Sequence, residues 1–276
     1  MSGQAPLFGG DRFLLVAGPC VLEDRTLNLR VARHVRDVAA ATGVRAVFKA
    51  SFDKANRTSL ESERGPGLAA GATELARIGE AVDLPVLTDV HESHQVEHLV
   101  GKVHALQIPA FLCRQTDLLL AAGASGLAVN VKKGQWMAPE EIRHPVDKLR
   151  AAGATDVAVT ERGTAFGYGR WVVDMRGFAL MREATNGARV VFDATHSVQL
   201  PSAAAGGGAS GGEPRHIAAL ARAAVAAGAD GLFVEVHPEP AAAPSDGQNM
   251  LQLDRLEALV TSVLAVRRAR LEAEAT

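Results

Sequence analysis

Residues 189–197 read RVVFDATHS, a short apolar run that ends directly in polar side chains. The same arrangement recurs along the chain, and each run is followed by a longer stretch with the spacing of an amphipathic helix. Eight runs predict strands, at residues 13–17, 45–49, 85–90, 103–108, 127–131, 157–160, 189–192 and 231–236. The stretches between them predict helices, at residues 26–42, 67–81, 93–100, 115–122, 139–152, 176–184, 215–227 and 249–269. Strands that alternate with helices in this way indicate a parallel sheet covered by helices.

Eight strand–helix units favour one fold within the α/β class, the closed (β/α)8 or TIM barrel. An open, doubly wound sheet is the competing arrangement, but the count of eight fits closure better. The chain has 276 residues, which suits a single barrel domain, predicted over residues 13–276. Residues 1–12 are expected to form an N-terminal extension or a short cap under the barrel.

The composition gives no sign of nucleic acid or membrane as a partner. The net charge is -2, so no overall basic field attracts phosphate backbones or anionic lipids. The N-terminus lacks the apolar core of a signal peptide, and no run of about 18 apolar residues occurs. The two cysteines, Cys20 and Cys113, are too few for a disulfide framework, so we expect a soluble protein in a reducing cytoplasm.

Positively charged side chains follow several of the predicted strands. In a TIM barrel the active site lies at the carboxyl ends of the strands, so these side chains are expected on one rim. They are Lys49, Lys54, Arg57, Lys132 and Arg162. Cations collected in a concave site repel one another unless anions bind between them. The sequence therefore predicts a site for more than one anionic group, either phosphate or carboxylate.

Four other side chains are expected to converge at one point of the rim. In a closed barrel strand 8 lies between strands 7 and 1, so Glu235 is flanked by Cys20 after strand 1 and His196 after strand 7. Asp246, in the loop after strand 8, can reach the same point. A thiolate, an imidazole and two carboxylates suit one divalent ion of the borderline type, namely Zn, Fe(II), Mn or Co. Cys113 lacks such neighbours and is interpreted as a structural residue.

Three further residues of the rim are candidates for acid–base chemistry or substrate binding. His91, in the sequence TDVHE, is a candidate general acid or base, or a support for a metal ligand. Asp89 of the same sequence is a catalytic candidate, and Gln107 after strand 4 is a substrate-binding candidate. The Gly-rich segment 201–213 follows strand 7, where we favour a mobile lid over a plain linker.

An ordered set of motifs runs along nearly the whole chain. It comprises AGPC (17–20), KANRTS (54–59), TDVHE (88–92), RGTAFGY (162–168), DATHSVQ (193–199) and EVHPEP (235–240) with SDG (245–247). This set resembles the 3-deoxy-D-manno-octulosonate 8-phosphate synthase family. The resemblance implies a TIM-barrel enzyme that condenses phosphoenolpyruvate with arabinose 5-phosphate and releases phosphate, on the way to lipopolysaccharide. The Gly-rich composition of segment 201–213 departs from the family pattern.

The resemblance also implies roles for individual residues. The family has a metal-dependent branch with Cys after AGP and a metal-independent branch with Asn, so Cys20 implies metal dependence. The implied ligands are the same four that barrel geometry proposed. Phosphoenolpyruvate would be bound by Lys49, Lys54, Lys132 and Arg162, and arabinose 5-phosphate by Asn56, Arg57 and Thr58, with help from a neighbouring subunit of a homotetramer. The catalytic candidates are Lys54, Lys132, Asp89, His91, His196 and Asp246.

Three alternatives stay open at this point. A 3-deoxy-7-phosphoheptulonate synthase takes erythrose 4-phosphate and shares AGPC, but it reads KPRTS and DPSH where this chain reads KANRTS and DATH. A Schiff-base aldolase would use Lys132 or Lys49 as its nucleophile. A non-catalytic barrel for sugar phosphates would bind phosphoenolpyruvate without releasing phosphate.

Overall fold

Eight parallel strands dominate the computed structural model, which describes residues 6–56, 63–166, 168–200 and 211–276. Each buried apolar run became a strand, within two residues of its predicted limits. The strands are β1 (Leu14–Gly18), β2 (Arg45–Lys49), β3 (Val86–Asp89), β4 (Ala105–Ile108), β5 (Ala128–Lys132), β6 (Val157–Glu161), β7 (Arg189–Asp193) and β8 (Gly231–His237).

The strands pair in chain order and the sheet closes on itself. Each strand is hydrogen-bonded in parallel to the next, and β8 pairs in parallel with β1, with Leu14 opposite Gly231 and Gly18 opposite Glu235. This closure confirms the (β/α)8 barrel and excludes the open, doubly wound sheet. It also places the carboxyl ends of all eight strands at one mouth.

Helices follow the strands and cover the barrel. They are α1 (Arg25–Thr42), α2 (Leu68–Val82), α3 (Gln95–Leu99), α4 (Thr116–Ala124), α5 (Arg143–Ala151), α6 (Gly177–Ala184), α7 (Ile217–Ala226) and α8 (Leu256–Glu274). Three predicted boundaries were wrong. Residues 139–142 form a 3-10 turn before α5, and α8 begins seven residues later than predicted, because Leu251–Gln252 pairs with β8 instead. The same helix ends at Glu274, five residues beyond its predicted end.

The alternation along each strand separates two apolar layers. Outward-facing residues such as Val234 and Val236 pack against the helices. Inward-facing residues such as Val47, Leu87 and Phe233 fill the barrel interior. Phe8 belongs to this inner layer and is fully buried.

The segment before β1 is tied to the barrel by hydrogen bonds. The backbone N–H of Phe8 donates to the carboxylate of Asp156 at 3.1 Å, and the guanidinium of Arg45 donates to the carbonyls of Leu7 and Gly9 at 3.0 Å. Since β2 begins at Arg45 and Asp156 immediately precedes β6, this segment lies at the end of the barrel opposite the mouth.

Among the described residues, no helix is both long and apolar enough to cross a membrane.

Candidate active site

Polar side chains from most of the strands meet at the mouth of the barrel. Gly18 allows the first of them to do so, because a Cβ atom at this position would lie 2.0 Å from the carbonyl oxygen of Lys49. The close approach of β1 to β2 therefore requires glycine, and it carries the chain through Pro19 to Cys20, which is buried.

Cys20, Glu235 and Asp246 form a compact triplet. One ligand atom from each lies within 4.8 Å of the other two, and the Cys20 thiol donates to Oδ2 of Asp246 at 3.1 Å. Burial, reinforced by the charge of Glu235, raises the pKa of the Cys20 thiol well above its usual value. The thiol therefore keeps its proton at neutral pH, and a metal ion would have to displace that proton.

His196 stands beside this triplet and is oriented by Asp193. Its Nε2 lies 3.8 Å from Oε2 of Glu235, and its Nδ1 is 2.8 Å from Oδ2 of Asp193. A carboxylate on Nδ1 favours the tautomer whose Nε2 carries a lone pair, which is the usual arrangement for an imidazole that binds a metal. Burial alone would raise the pKa of Asp193, but the charges of His196 and Lys132 hold it well below its usual range.

The four predicted ligands suit a divalent ion in chemistry; three of them lie within 4.8 Å of one another, and His196 is placed beside them by its contact with Glu235. Ligand atoms in a tetrahedral site with bonds of 2.0–2.3 Å stand about 3.3–3.8 Å apart. The Cys20–Asp246 contact of 3.1 Å and the His196–Glu235 contact of 3.8 Å are close to this spacing. One thiol, one imidazole and two carboxylates suit Zn, Fe(II), Mn or Co better than Mg or Ca.

Lys49 is committed to contacts within the protein. Its ammonium donates to Oε1 of Glu235 at 2.9 Å and to the carbonyl of Cys20 at 3.0 Å. Burial alone would raise the pKa of the Glu235 carboxyl, but the positive charges of Lys49 and of the other cations near Glu235 lower it. In the structure, Lys49 thus orients a candidate metal ligand, and its predicted contact with phosphoenolpyruvate stays a prediction.

Asp89 and Gln107 belong to a hydrogen-bonded chain across the mouth. Asp89 accepts from the Gln107 amide and from the hydroxyl of Ser51. Gln107 in turn accepts from Asn130 at 2.9 Å, and Asn130 accepts from Thr160 at 2.8 Å. Because the amide of Gln107 is held at both ends, its orientation is fixed before a ligand arrives.

Lys132 and Arg162 provide further positive charge at the mouth. The Lys132 ammonium donates to Asp193 and lies 3.4 Å from the ring centroid of Phe233. Arg162 is buried, and its Nη2 donates to Oε1 of Gln199 at 3.2 Å. Its Nη1 is also buried and has no hydrogen-bond partner within the described ranges, which makes this N–H group a candidate donor to a bound anion.

The other candidates lie toward the loop after β2. Burial disfavours the ammonium of Lys54, but the negative charge around the triplet outweighs this effect and raises its pKa. Asn56 is exposed, while Arg57 and Thr58 lie outside the described residues. The ring of His91 packs edge-on against Phe52 at 5.6 Å.

His91 has a second feature that suits a proton carrier. Its Nδ1 is buried and, in the part of the chain that the structure describes, has no hydrogen-bond partner. Burial lowers the pKa of its imidazole, so the ring is neutral at pH 7.

Segment 201–213 is described only from Gly211 onward, so the predicted lid lies largely outside the described residues.

Several supporting residues were missed by reasoning from the sequence. Asp193, Ser51, Asn130 and Thr160 were not singled out, and neither was Gln199. A signal was present for Asp193, because it precedes His196 by three residues at a strand end. The network of Asn130 and Thr160 depends on the pairing of neighbouring strands, which short motifs do not reveal.

Comparison with known proteins gives a consistent result. The model of the DAHP synthetase I family matches residues 5–271. The chain is 56% identical over 255 residues to a 2-dehydro-3-deoxyphosphooctonate aldolase of Nitratidesulfovibrio vulgaris, covering 92% of each chain. It is 52% identical over 262 residues to a protein of the same name from Koribacter versatilis, covering 95% of this chain and 93% of that one. A third protein of that name, from Methylobacterium radiotolerans, is 53% identical over 273 residues, covering 97% and 95% respectively.

Proposed function

This chain belongs to the DAHP synthetase I family, and on that premise we propose that it condenses phosphoenolpyruvate with arabinose 5-phosphate at a metal site in the barrel mouth. The product is 3-deoxy-D-manno-octulosonate 8-phosphate, and inorganic phosphate is released. The resemblance seen in the motifs is confirmed by relatives of about 50% identity. Their shared name, 2-dehydro-3-deoxyphosphooctonate aldolase, denotes the enzyme of this reaction.

The heptulonate synthase is not favoured as an alternative. The matching family, DAHP synthetase I, is named after the heptulonate synthases. The similar relatives, however, are named 2-dehydro-3-deoxyphosphooctonate aldolase. The sequence differences KANRTS and DATH point the same way. The Schiff-base and non-catalytic readings have no relative of their own among these proteins.

One observation supports the proposed site more than any other. The Cys20–Glu235–Asp246 triplet lies in the same mouth as Arg162, whose buried Nη1 has no hydrogen-bond partner among the described residues. A buried N–H group without an acceptor is costly, and an anion that accepts from it removes that cost. A group of metal ligands beside a buried cation that has an unused hydrogen-bond donor suits a reaction of two phosphorylated substrates.

The reaction requires two anions to be brought together and aligned. Carbon 3 of phosphoenolpyruvate attacks the aldehyde carbon with the electron pair of its double bond, and the aldehyde oxygen takes up a proton. Water then adds to carbon 2, losing a proton, and the C–O bond to phosphate breaks. Lys132 and Arg162 would neutralise phosphoenolpyruvate, and Lys54 lies near the triplet to contact either substrate. Holding two reactants in the reactive geometry lowers the activation free energy by roughly 7–11 kcal/mol.

Cys20, His196, Glu235 and Asp246 would hold the divalent ion, which supplies Lewis acidity toward an oxygen of the aldehyde or of water. The neutral imidazole of His91 is a candidate to move a proton through Nδ1. Asp89, fixed by Gln107, stays ionised and balances the charge of the nearby lysines.

We also propose a cytoplasmic homotetramer. Two stacked pairs of exposed aromatic side chains support association, Phe111 with Trp136 and Phe166 with Tyr168. Both cysteines are free, which fits a reducing compartment. Sedimentation analysis of the wild type and of Trp136→Asp tests the assembly, and a monomeric wild type would contradict it.

The choice of aldehyde is tested by phosphate release. Purified protein is given phosphoenolpyruvate with either arabinose 5-phosphate or erythrose 4-phosphate, and inorganic phosphate is measured. We expect release with the five-carbon sugar and little with the four-carbon sugar. The reverse preference would support the heptulonate synthase, and no release with either would support the non-catalytic barrel.

The metal site is tested by a pair of cysteine variants. Cys20→Ser should lower the metal content of the purified protein and its turnover, because a thiolate ligand is lost. Cys113→Ser is the matched control, since Cys113 is also buried and its sulfur lies 3.3 Å from that of Met137, away from the triplet. Equal metal content in both variants would refute the proposed role of Cys20.

A further inference from the structure

The side chain of Gln199 bridges two candidate functional groups. Its Nε2 donates to Oδ1 of Asp246 at 3.1 Å, and its Oε1 accepts from Nη2 of Arg162 at 3.2 Å. A candidate metal ligand and a candidate phosphoenolpyruvate-binding cation are therefore joined through one amide. None of the motif-based roles assigned above uses this residue.

The chemistry of the two partners explains why this position holds an amide. A guanidinium can only donate hydrogen bonds, and a carboxylate can only accept them. The bridge therefore needs one side chain with an acceptor at one atom and a donor at another. Glutamine meets this requirement, whereas glutamate would place two carboxylates together and lysine would face a guanidinium.

Asp246 is held by the surrounding chain in a conformation that depends on such contacts. Its backbone has φ of 54°, in the left-handed region that is unfavourable for residues other than glycine. Its carboxylate accepts from Cys20, from the hydroxyl of Ser245 at 2.8 Å and from Gln199. Gln199 therefore helps to fix the direction in which the Asp246 carboxylate points, toward the other two members of the triplet.

A second contact links the segment of Gln199, after β7, to the loop of Asp246, after β8. Gln199 begins the short strand Gln199–Leu200, which pairs antiparallel with Gly211–Gly212. A Cβ atom at Gly212 would lie 1.8 Å from Oδ1 of Asn249, and the backbone N–H of Asn249 donates to the carbonyl of Asp246 at 2.8 Å. The strand pair and the loop of Asp246 therefore pack directly on each other, so the bridge is part of a fixed framework.

We propose that Gln199 is a positioning residue that couples metal binding at Asp246 to phosphoenolpyruvate binding at Arg162. This inference rests on the proposed function. When the metal fixes Asp246, the amide holds the guanidinium in place for the anion, and the reverse holds equally because linkage between two ligands is reciprocal. Each ligand should then tighten the binding of the other.

The test measures Co2+ binding to the full-length, metal-stripped protein with and without saturating phosphoenolpyruvate. The absorption of cobalt bound by the thiolate reports occupancy. In the wild type we expect phosphoenolpyruvate to tighten Co2+ binding about five- to tenfold, the effect of one ordinary hydrogen bond. In Gln199→Met, which keeps the length of the side chain but has no donor, Co2+ should bind about tenfold more weakly. Phosphoenolpyruvate should no longer tighten it.

Two other variants separate positioning from a general loss of structure. Gln199→Asn keeps the amide but is one methylene shorter, so it should reach only one partner and also lose the coupling. Gln252→Met is the matched control, because Gln252 is exposed and its amide donates to the surface residue Asp254, at 3.4 Å. It should behave as the wild type. Thermal unfolding of each variant establishes that it is folded.

The outcomes distinguish this inference from the proposed function. If the wild type binds no Co2+, the metal site itself is wrong and the coupling falls with it. If the wild type binds Co2+ but shows no coupling, or if both Gln199 variants keep the coupling, only the role of Gln199 is refuted.

Discussion

Asp193→Asn should weaken both the fold and the metal site. Oδ1 of Asp193 accepts from the backbone N–H of His196 at 2.8 Å, while Oδ2 faces Nδ1 of His196 and the ammonium of Lys132. An asparagine keeps the first acceptor but places an NH2 group against two donors. Lys132 then becomes a buried charge without its partner, and the imidazole loses the carboxylate that sets its tautomer.

The magnitudes follow from these two losses. Removal of one partner of a buried ion pair costs about 3–5 kcal/mol of unfolding free energy. Removal of the partner that orients a metal-binding histidine lowers metal affinity by about 10–100-fold. Urea denaturation measures the first effect, and titration of the metal-stripped protein with Zn2+ against a competing chelator measures the second.

A matched control uses a carboxylate that has no contact with the mouth. Oδ2 of Asp230, just before β8, accepts from Arg182 at 2.8 Å and from the backbone of Val190 at 2.9 Å. Asp230→Asn should lower stability but leave metal affinity unchanged. If Asp193→Asn bound Zn2+ as tightly as Asp230→Asn, the proposed orientation of His196 would be refuted.

Three further predictions concern the remaining buried contacts. The charges around Asp89 hold its folded-state pKa below the unfolded value of about 3.9, so its contribution to stability is present above that pH and is lost as the pH falls. Urea denaturation between pH 3 and 7 should therefore show that the unfolding free energy falls less on acidification for Asp89→Asn than for the wild type. The exposed control Asp147→Asn should behave as the wild type, and parallel plots of unfolding free energy against pH for all three proteins would count against this reasoning. Phe8→Ala should cost about 3–5 kcal/mol in urea denaturation, because Phe8 fills the barrel interior, and a loss below about 1 kcal/mol would show that this segment does not seal the barrel. The buried ammonium of Lys133 lies 3.6 Å from Glu161, so Lys133→Met alone should destabilise more than Lys133→Met with Glu161→Gln, as measured in a double-mutant cycle, and additive losses would exclude an energetic coupling of the pair.

The sequence predicted those parts of the structure that depend on local patterns. Apolar runs gave all eight strands, and the alternation around Glu235 gave its inward direction, because burial on both faces of a barrel strand leaves a clear signal. The neighbouring positions of strands 1, 7 and 8 then brought Cys20 next to Glu235, and His196 to within 3.8 Å of Glu235. This part required only the order of strands in a closed barrel.

The remaining features depend on contacts between distant segments. The start of α8 was predicted too early, because the pairing of Leu251–Gln252 with β8 competes with helix formation. The bridge of Gln199 joins residues 37 and 47 positions away, and no spacing within a motif indicates it. The ion pair of Lys49 with Glu235 joins β2 to β8 and was not predicted, while the predicted contact of Lys49 with substrate stays a prediction.

The most direct test of the account is the release of phosphate from phosphoenolpyruvate and arabinose 5-phosphate by protein dialysed against EDTA. We expect no release after dialysis and full recovery when Mn2+ or Zn2+ is added back, because the thiolate, imidazole and carboxylates of the mouth would again hold the ion. Release at the undialysed rate by protein shown to contain no metal would contradict the account.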